Sequence, residues 1–121
     1  MMKRLLIVED QETMRGVLAA AAREAGFAVT LAANGQIALD MCKTQDIHAI
    51  LSDLNMPVMD GEQFIRALRA AGLAMPVIMV TAVADQEKVR ALIQLGISGY
   101  IVKPFKMDAV QQALEKLHQR L

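Results

Sequence analysis

The stretch Ala49-Ile50-Leu51-Ser52-Asp53-Leu54-Asn55-Met56-Pro57 decides the fold. Three apolar residues lead into Ser52 and Asp53, and Pro57 ends any regular continuation. A short apolar run between turn residues is typical of a buried strand, although periodicity alone does not separate it from a fragment of buried helix. As a strand over residues 47–52, it would leave Asp53 on rigid backbone at the edge of a sheet, partly shielded from water and open on one side.

Four more aliphatic runs predict strands, over residues 5–8, 28–31, 77–80 and 100–102. Between the runs, apolar residues recur at intervals of three and four, which predicts five amphipathic helices. Aliphatic strands that alternate with helices indicate a parallel sheet covered by helices on both faces.

The helix signals also predict which side chains face the core. The first helix, over residues 12–25, ends at Gly26, and Asp85 is the predicted N-cap of the fourth helix. The predicted inner faces include Val17, Ile37 and Ile93, whereas Arg66 and Arg69 are predicted to point outward.

The composition limits the possible functions. With 121 residues, of which 55% are hydrophobic and 21% charged, the chain is expected to form one globular domain. Thirteen basic and thirteen acidic residues leave no basic face for nucleic acid. The longest apolar runs are far shorter than the roughly 20 residues that span a bilayer, and the N-terminus lacks a signal-peptide core. The single cysteine, Cys42, excludes an internal disulfide, so we expect a cytoplasmic protein with no membrane association.

Polar residues follow four of the predicted strands at the same end. Glu9 and Asp10 follow the first strand, Asp53 the third, Thr81 the fourth and Lys103 the fifth. Parallel sheets bind ligands at the carboxyl ends of their strands. Three carboxylates at one edge repel one another unless a cation intervenes, and oxygen ligands of this kind suit Mg²⁺. Lys103 and Thr81 could bind an oxygen anion beside Asp53, which predicts formation of an aspartyl-phosphate on Asp53.

The motifs that carry this chemistry are Glu9-Asp10, residues 53–57, Met59-Asp60-Gly61, Thr81-Ala82 and residues 99–105. In this order the chain resembles, from end to end, the response-regulator receiver family, and closely its single-domain, CheY-like members. The resemblance implies a flavodoxin-like (βα)5 fold with strand order 2-1-3-4-5. It also implies one receiver domain over residues 1–121 with no output domain.

The resemblance assigns a role to each matching residue. Asp53 would be the phosphoacceptor, and Mg²⁺ would be held by Asp10, by Asp53, by Glu9 through water and by the backbone carbonyl of Asn55. Thr81 and Lys103 would bind the phosphoryl oxygens, and the rotamer of Tyr100 would follow Thr81. The Lys103–Pro104 peptide bond is expected to be cis.

Two departures from the family pattern concern the site. Glu9 stands where the single-domain members carry Asp, and its longer side chain still reaches a metal-bound water. Val83 stands where they carry Glu. In the family the position of Val83 flanks the path of the attacking water, so the lifetime of the phosphoryl group cannot be carried over. Asn55 and Val83 are the residues expected to set this lifetime.

The resemblance also implies partners. The phosphodonor would be a histidine kinase or a histidine phosphotransfer protein. The output would be a protein target on the face formed by the fourth helix, the fifth strand and the fifth helix, in chemotaxis by analogy. The residues expected on or near this face are Lys88, Val89, Arg90, Tyr100 and Lys106. We expect a monomer or weak dimer that promotes only its own phosphorylation and dephosphorylation and is otherwise not an enzyme.

Three alternatives remain open at this point. A degenerate receiver would keep the fold as an interaction module and never be phosphorylated. An aspartate-nucleophile phosphatase would carry a carboxylate two residues after its nucleophile, where this chain has Asn55. A flavodoxin-type flavin binder shares the strand order, but an acidic rim would repel the flavin phosphate. His48 and His118 are predicted to be structural or solvated, and Cys42 is predicted to be a small core residue.

Overall fold

A computed structural model describes residues 2–121, apart from the side chain of Val83. Within that range the elements are β1 (Arg4–Val8), α1 (Glu12–Glu24), β2 (Ala28–Ala32), α2 (Gly35–Thr44), β3 (Ala49–Asp53), α3 (Gly61–Ala70), β4 (Val77–Ala82), α4 (Gln86–Gln94), β5 (Gly99–Lys103) and α5 (Met107–Arg120). A 3-10 turn over Val83–Asp85 joins β4 to α4. The predicted alternation is confirmed with bounds that differ by one or two residues, and Asp53 is the last residue of its strand.

All strand pairs are parallel, in the order β2-β1-β3-β4-β5. Val8 lies beside Ser52, and Asp53 lies beside Val80. The carboxyl ends of β1, β3 and β4 therefore lie side by side at one edge. The predicted strand order is confirmed.

The helices cover both faces of the sheet and bury two hydrophobic layers. On one face α1 and α5 pack on the sheet through Leu18 and Leu114, around the fully buried Phe27. On the other face α2, α3 and α4 pack through Leu39, Phe64 and Leu92. Because both faces are covered, the central strands β1, β3 and β4 are mainly apolar, and their polar residues lie near the strand ends.

Three residues predicted on inner helix faces are exposed. The exposed fractions are 40% for Val17, 41% for Ile37 and 55% for Ile93. Each lies at the margin of its helix's apolar stripe, and the centre of the stripe fills the contact with the sheet. A helix that lies on one face of a sheet therefore buries fewer of its apolar residues than the three- and four-residue spacing of those residues predicts.

The predicted outward orientation of Arg69 is wrong. Its guanidinium donates hydrogen bonds to carbonyls that follow α3 and end α4, namely Leu73 at 2.9 Å, Met75 at 3.1 Å, Leu95 at 2.9 Å and Gly96 at 3.2 Å. Desolvation lowers the pKa of this guanidinium. These four carbonyls lie in the segments that follow the two helices and accept no backbone hydrogen bond within the described loops and caps, so one guanidinium supplies their donors. Arg66 points outward as predicted and pairs with Glu62 at 3.1 Å.

The residues predicted to be structural lie away from the carboxyl edge of the sheet. Cys42 is buried, and burial raises the pKa of its thiol to about 11. Nδ1 of His48 accepts a hydrogen bond from the backbone N–H of Arg4, at the opposite edge. The ring of His118 packs edge-on against Phe27, with centroids 4.9 Å apart. Within residues 2–121, no helix is both long and apolar enough to cross a bilayer.

Candidate functional site

Three carboxylates meet where β1 and β3 end. One carboxylate oxygen from each of Glu9, Asp10 and Asp53 lies within 4.8 Å of the other two. Glu9 and Asp53 are 2% and 7% exposed, whereas Asp10 is exposed. The sequence prediction that these acids converge is confirmed by this geometry.

Backbone and side-chain donors fix the acidic turn after β1. The N–H of Gln11 donates to Oε2 of Glu9 at 3.1 Å, and the guanidinium of Arg15 donates to the Glu9 carbonyl at 2.8 Å. The N–H of Glu9 donates to the Ala32 carbonyl on β2. The longer acid at this position is therefore held in a defined place. The contribution of Arg15 from α1 had no signal in the sequence.

The electrostatics of the cluster fit a divalent cation. Burial raises the pKa of Glu9 to about 7, and a hydrogen bond with Asp10 and the negative charge of Asp53 add to this effect. The Gln11 N–H and the Lys103 charge oppose the shift but do not cancel it. An all-oxygen donor set with excess negative charge is the environment that Mg²⁺ binds. These residues therefore fit the predicted metal.

Lys103, at the end of β5, approaches Asp53 from one side, whereas Glu9 and Asp10, at the end of β1, lie on the other side. Its Nζ donates to Oδ2 of Asp53 at 3.0 Å, and the lysine side chain remains 38% exposed. The Lys103–Pro104 peptide bond is cis, as expected. A flexible lysine with a partly exposed head can stay on Asp53 or move to an anion bound there.

Thr81 brings a hydroxyl to the same edge. It lies on β4 one residue beyond Val80, which pairs with Asp53, and it is fully buried. Its Oγ1 has no hydrogen-bond partner within the part of the chain that the structure describes. A buried polar atom without a partner is costly and needs an explanation. Binding of an oxygen anion at the site would supply one.

The end of β3 is held by the start of α3. The N–H of Gly61 donates to the Leu54 carbonyl at 2.7 Å. A Cβ on Gly61 would lie 2.8 Å from the Asp53 carbonyl and 2.8 Å from the Leu54 Cα. Since both contacts are with backbone, only glycine permits this approach, and the approach fixes the backbone that carries Asp53.

The side chain of Asn55 points to the β4–α4 connection. Its Nδ2 donates to Oδ2 of Asp85 at 2.8 Å. Asp85 occupies the predicted N-cap position of α4, but its side chain makes no capping bond. The predicted side-chain cap does not form, because Asp85 ends a 3-10 turn with φ of −100° and ψ of 17° instead of extended backbone, and its carboxylate bonds to Asn55. The Val83 side chain, predicted to flank the same path, lies outside the described part of the structure.

The residues predicted for the partner face divide into exposed and buried ones. Lys88, Arg90 and Lys106 are exposed, and Tyr100 is 44% exposed. Val89 is only 4% exposed, so it lies beneath this face and cannot contribute much contact area. Tyr100 pairs with Met79, two residues before Thr81, and alternate strand residues share a face. Tyr100 and Thr81 therefore point to the same side of the sheet.

Comparison with known proteins identifies the family. The model of the response regulator receiver domain matches residues 5–115. The chain belongs to the response-regulator receiver family. Among curated relatives of this receiver, the chemotaxis protein CheY of Pseudomonas aeruginosa is 36% identical, over 98% of both chains.

Solved structures agree with this assignment. The chemotaxis response regulator CheY4 of Vibrio cholerae has a TM-score of 0.87 and 31% identity, over 97% of this receiver and 99% of that chain. A receiver domain of a sensor histidine kinase from Pseudomonas aeruginosa PAO1, solved with a magnesium ion coordinated in its active site cleft, has a TM-score of 0.83 and 35% identity, over 98% and 99%. The predicted family and its flavodoxin-like fold are confirmed.

Proposed function

We propose that this receiver is a phosphorylation-dependent switch of a two-component system and that Asp53 is its phosphoacceptor. One observation carries the proposal. A buried carboxylate at a strand end has a lysine ammonium at 3.0 Å on one side and two further acids on the other. This combination suits a nucleophile that must take up a phosphoryl group and keep it.

The chain's own residues account for the transfer step. An oxygen of Asp53 forms a bond to phosphorus while the bond between phosphorus and the donor atom breaks, and the donor leaves with that electron pair. Charge on the phosphoryl oxygens is then met by the Lys103 ammonium and by the Thr81 hydroxyl, whose Oγ1 is free to donate. Stabilisation of these oxygens is the main contribution a protein makes to phosphoryl transfer.

The metal in this proposal is Mg²⁺. Asp10, Asp53 and the Asn55 carbonyl would hold it directly, and Glu9 through water. When bound, it supplies the positive charge that lets the acids remain ionised beside a phosphoryl group. The raised pKa of Glu9 supports this set, because a carboxylate so placed releases its proton more easily when a cation is near.

The switch follows from the position of Thr81. A phosphoryl group on Asp53 attracts the Thr81 hydroxyl, which vacates space on the side of the sheet that Tyr100 shares. Tyr100 then turns inward and changes the face that carries Lys88, Arg90 and Lys106. A downstream protein would bind this face in one state better than in the other.

We further propose that the donor is a histidine kinase or a histidine phosphotransfer protein and that the pathway is chemotaxis in the cytoplasm. Support comes from the CheY relatives, which this chain matches over nearly its full length. We expect the receiver to act as a monomer or weak dimer.

The test is labelling with acetyl phosphate and Mg²⁺, followed by intact-protein mass spectrometry. The wild type should gain the mass of one phosphoryl group, and Asp53→Asn should gain none. Asp40→Asn, on the exposed side of α2, is the matched control and should label like the wild type. Equal labelling of Asp53→Asn and wild type would overturn the assignment of Asp53.

The labelling experiment and a phosphatase assay separate the alternatives. A degenerate receiver would remain unlabelled with Mg²⁺ present. A phosphatase would release more than one phosphate per protein from a phosphate ester. The residue two positions after Asp53 is an amide already bonded to Asp85, which disfavours its use as a general acid.

A further inference from the structure

We infer that Asp85 is a positioning residue for Asn55 and that it lengthens the time the phosphoryl group stays on Asp53. The inference rests on the proposed function and adds to it a residue that the family motifs do not include. It starts from one side-chain pair, in which Nδ2 of Asn55 donates to Oδ2 of Asp85 at 2.8 Å.

The pair joins two loops that border the site. Asn55 lies two residues after Asp53, and Asp85 lies four residues after Thr81, at the end of the 3-10 turn. The Asp85 side chain is 16% exposed, and Nζ of Lys88 lies 3.9 Å from its other oxygen. A partly buried carboxylate with one amide and one ammonium partner holds that amide more firmly than water would.

The orientation of Asp85 is not explained by helix capping. An acid at this position normally accepts a hydrogen bond from the first turn of the helix, an interaction worth about 1 kcal/mol. Asp85 makes no such bond, although it directly precedes α4. Asp85 ends a 3-10 turn, with φ of −100° and ψ of 17°, so its backbone lacks the extended conformation of a capping residue and its carboxylate is available to Asn55.

The consequence concerns hydrolysis of the aspartyl-phosphate. A water oxygen bonds to phosphorus while the bond from phosphorus to Asp53 breaks. Asp53 leaves as a carboxylate, and the water proton passes to solvent. A nearby amide can orient that water, because it both donates and accepts hydrogen bonds. Asp85 holds the Asn55 amide toward α4, and Val83 offers no polar group in its place. Release of Asn55 would make the amide available to the water.

The test measures loss of the phosphoryl group from protein labelled with acetyl phosphate and then desalted. Asp85→Ala should shorten the lifetime about fivefold, the rate factor that corresponds to one net hydrogen bond. Asp85→Asn keeps an acceptor oxygen and should stay close to the wild type. Glu87→Ala removes a neighbouring first-turn acid of α4 without contact to Asn55, and it should leave the lifetime unchanged.

The Asn55→Ala background provides the decisive comparison. If Asp85 acts through Asn55, Asp85→Ala has no further effect once Asn55 is alanine. The side-chain amide resonances of Asn55, read by ¹⁵N–¹H NMR without phosphodonor, should move in Asp85→Ala and stay near their wild-type positions in Asp85→Asn. A merely structural effect of Asp85 would not give this pattern.

The outcomes separate this inference from the proposed function. An unchanged or longer lifetime in Asp85→Ala, or a shortening that persists with Asn55→Ala, overturns the role of Asp85 while labelling of Asp53 stands. A wild type that takes up no label overturns the proposed function and this inference with it.

Discussion

Arg69 should contribute far more to stability than Arg66, although both lie on α3 three residues apart. The Arg69 guanidinium donates four hydrogen bonds to backbone carbonyls, at 2.9 to 3.2 Å. Arg66 makes one exposed ion pair, with Glu62. Arg69→Met and Arg66→Met remove a charge from the same helix and keep comparable apolar volume, so each serves as the control for the other.

The magnitude follows from the bonds. A net contribution of about 1 kcal/mol per hydrogen bond gives about 4 kcal/mol for four bonds. Arg69 is only half-buried, so some of its carbonyl partners regain water when it is replaced, and we expect a loss of about 2–3 kcal/mol. An exposed helix pair such as Arg66 with Glu62 contributes about 0.3–0.5 kcal/mol.

The assay is urea unfolding followed by far-ultraviolet circular dichroism, since the chain has no tryptophan. Arg69→Met should shift the midpoint without changing the slope, because the folded state stays compact. Hydrogen exchange should also become faster at Leu95 and Gly96, where α4 ends. Equal loss of stability in the two variants, or unchanged exchange at the end of α4, would refute the assignment of Arg69 to these carbonyls.

Four further predictions concern Gly61, Gly16, Val58 and Glu9. Gly61→Ala should lower the free energy of unfolding by at least about 2 kcal/mol through clashes with backbone. Gly16→Ala, whose Cβ meets nothing within 4 Å, should raise the free energy of unfolding by about 1 kcal/mol; a loss of stability there would contradict the reasoning. Val58 has a φ of 70° and is 80% exposed, so Val58→Gly should stabilise the fold by about 1 kcal/mol in the same assay, and a destabilised variant would exclude strain. The pKa of Glu9 is raised from 4.5 to about 7. The neutral form of Glu9 therefore stabilises the folded state. This stabilisation is fully present below pH 4.5 and is lost as the pH rises through about 7. In EDTA the free energy of unfolding of the wild type should fall relative to that of Glu9→Gln between pH 5 and 8. Parallel plots of this free energy against pH for the two proteins would contradict the prediction.

The sequence predicted the fold and the main site well because both depend on patterns with a fixed period or order. Aliphatic runs that alternate with helices specify a parallel sheet, and parallel strands bring their carboxyl ends together. Glu9, Asp53 and Lys103 could be placed at one edge by this rule alone. Their separation in the chain did not matter, because the sheet determines which ends meet.

The contacts that the sequence did not predict depend on side-chain conformation. A long or polar side chain can reach different hydrogen-bond partners once the helices and strands are packed. Arg69 occupies an outward position of its helix and yet bends back to carbonyls of two segments. Asp85 carries an N-cap signature and yet bonds to Asn55. A periodic pattern assigns a side chain to a face, but it does not say which backbone groups near that face still lack a partner.

These two unpredicted contacts bear on the switch that we propose for the face that includes α4. Only Val89 and Leu92 of α4 are buried, whereas α1 buries Leu18 and three alanines. With so little apolar contact, α4 is the kind of element that moves at low free-energy cost. Its C-terminal end is held by Arg69, and the turn that precedes it is held to the site loop by Asp85. Hydrogen bonds can be exchanged without opening the core. Under the proposed function, a phosphoryl group on Asp53 would therefore act on α4 first through the Asp85 bond, and the Arg69 bonds would hold the far end of the helix.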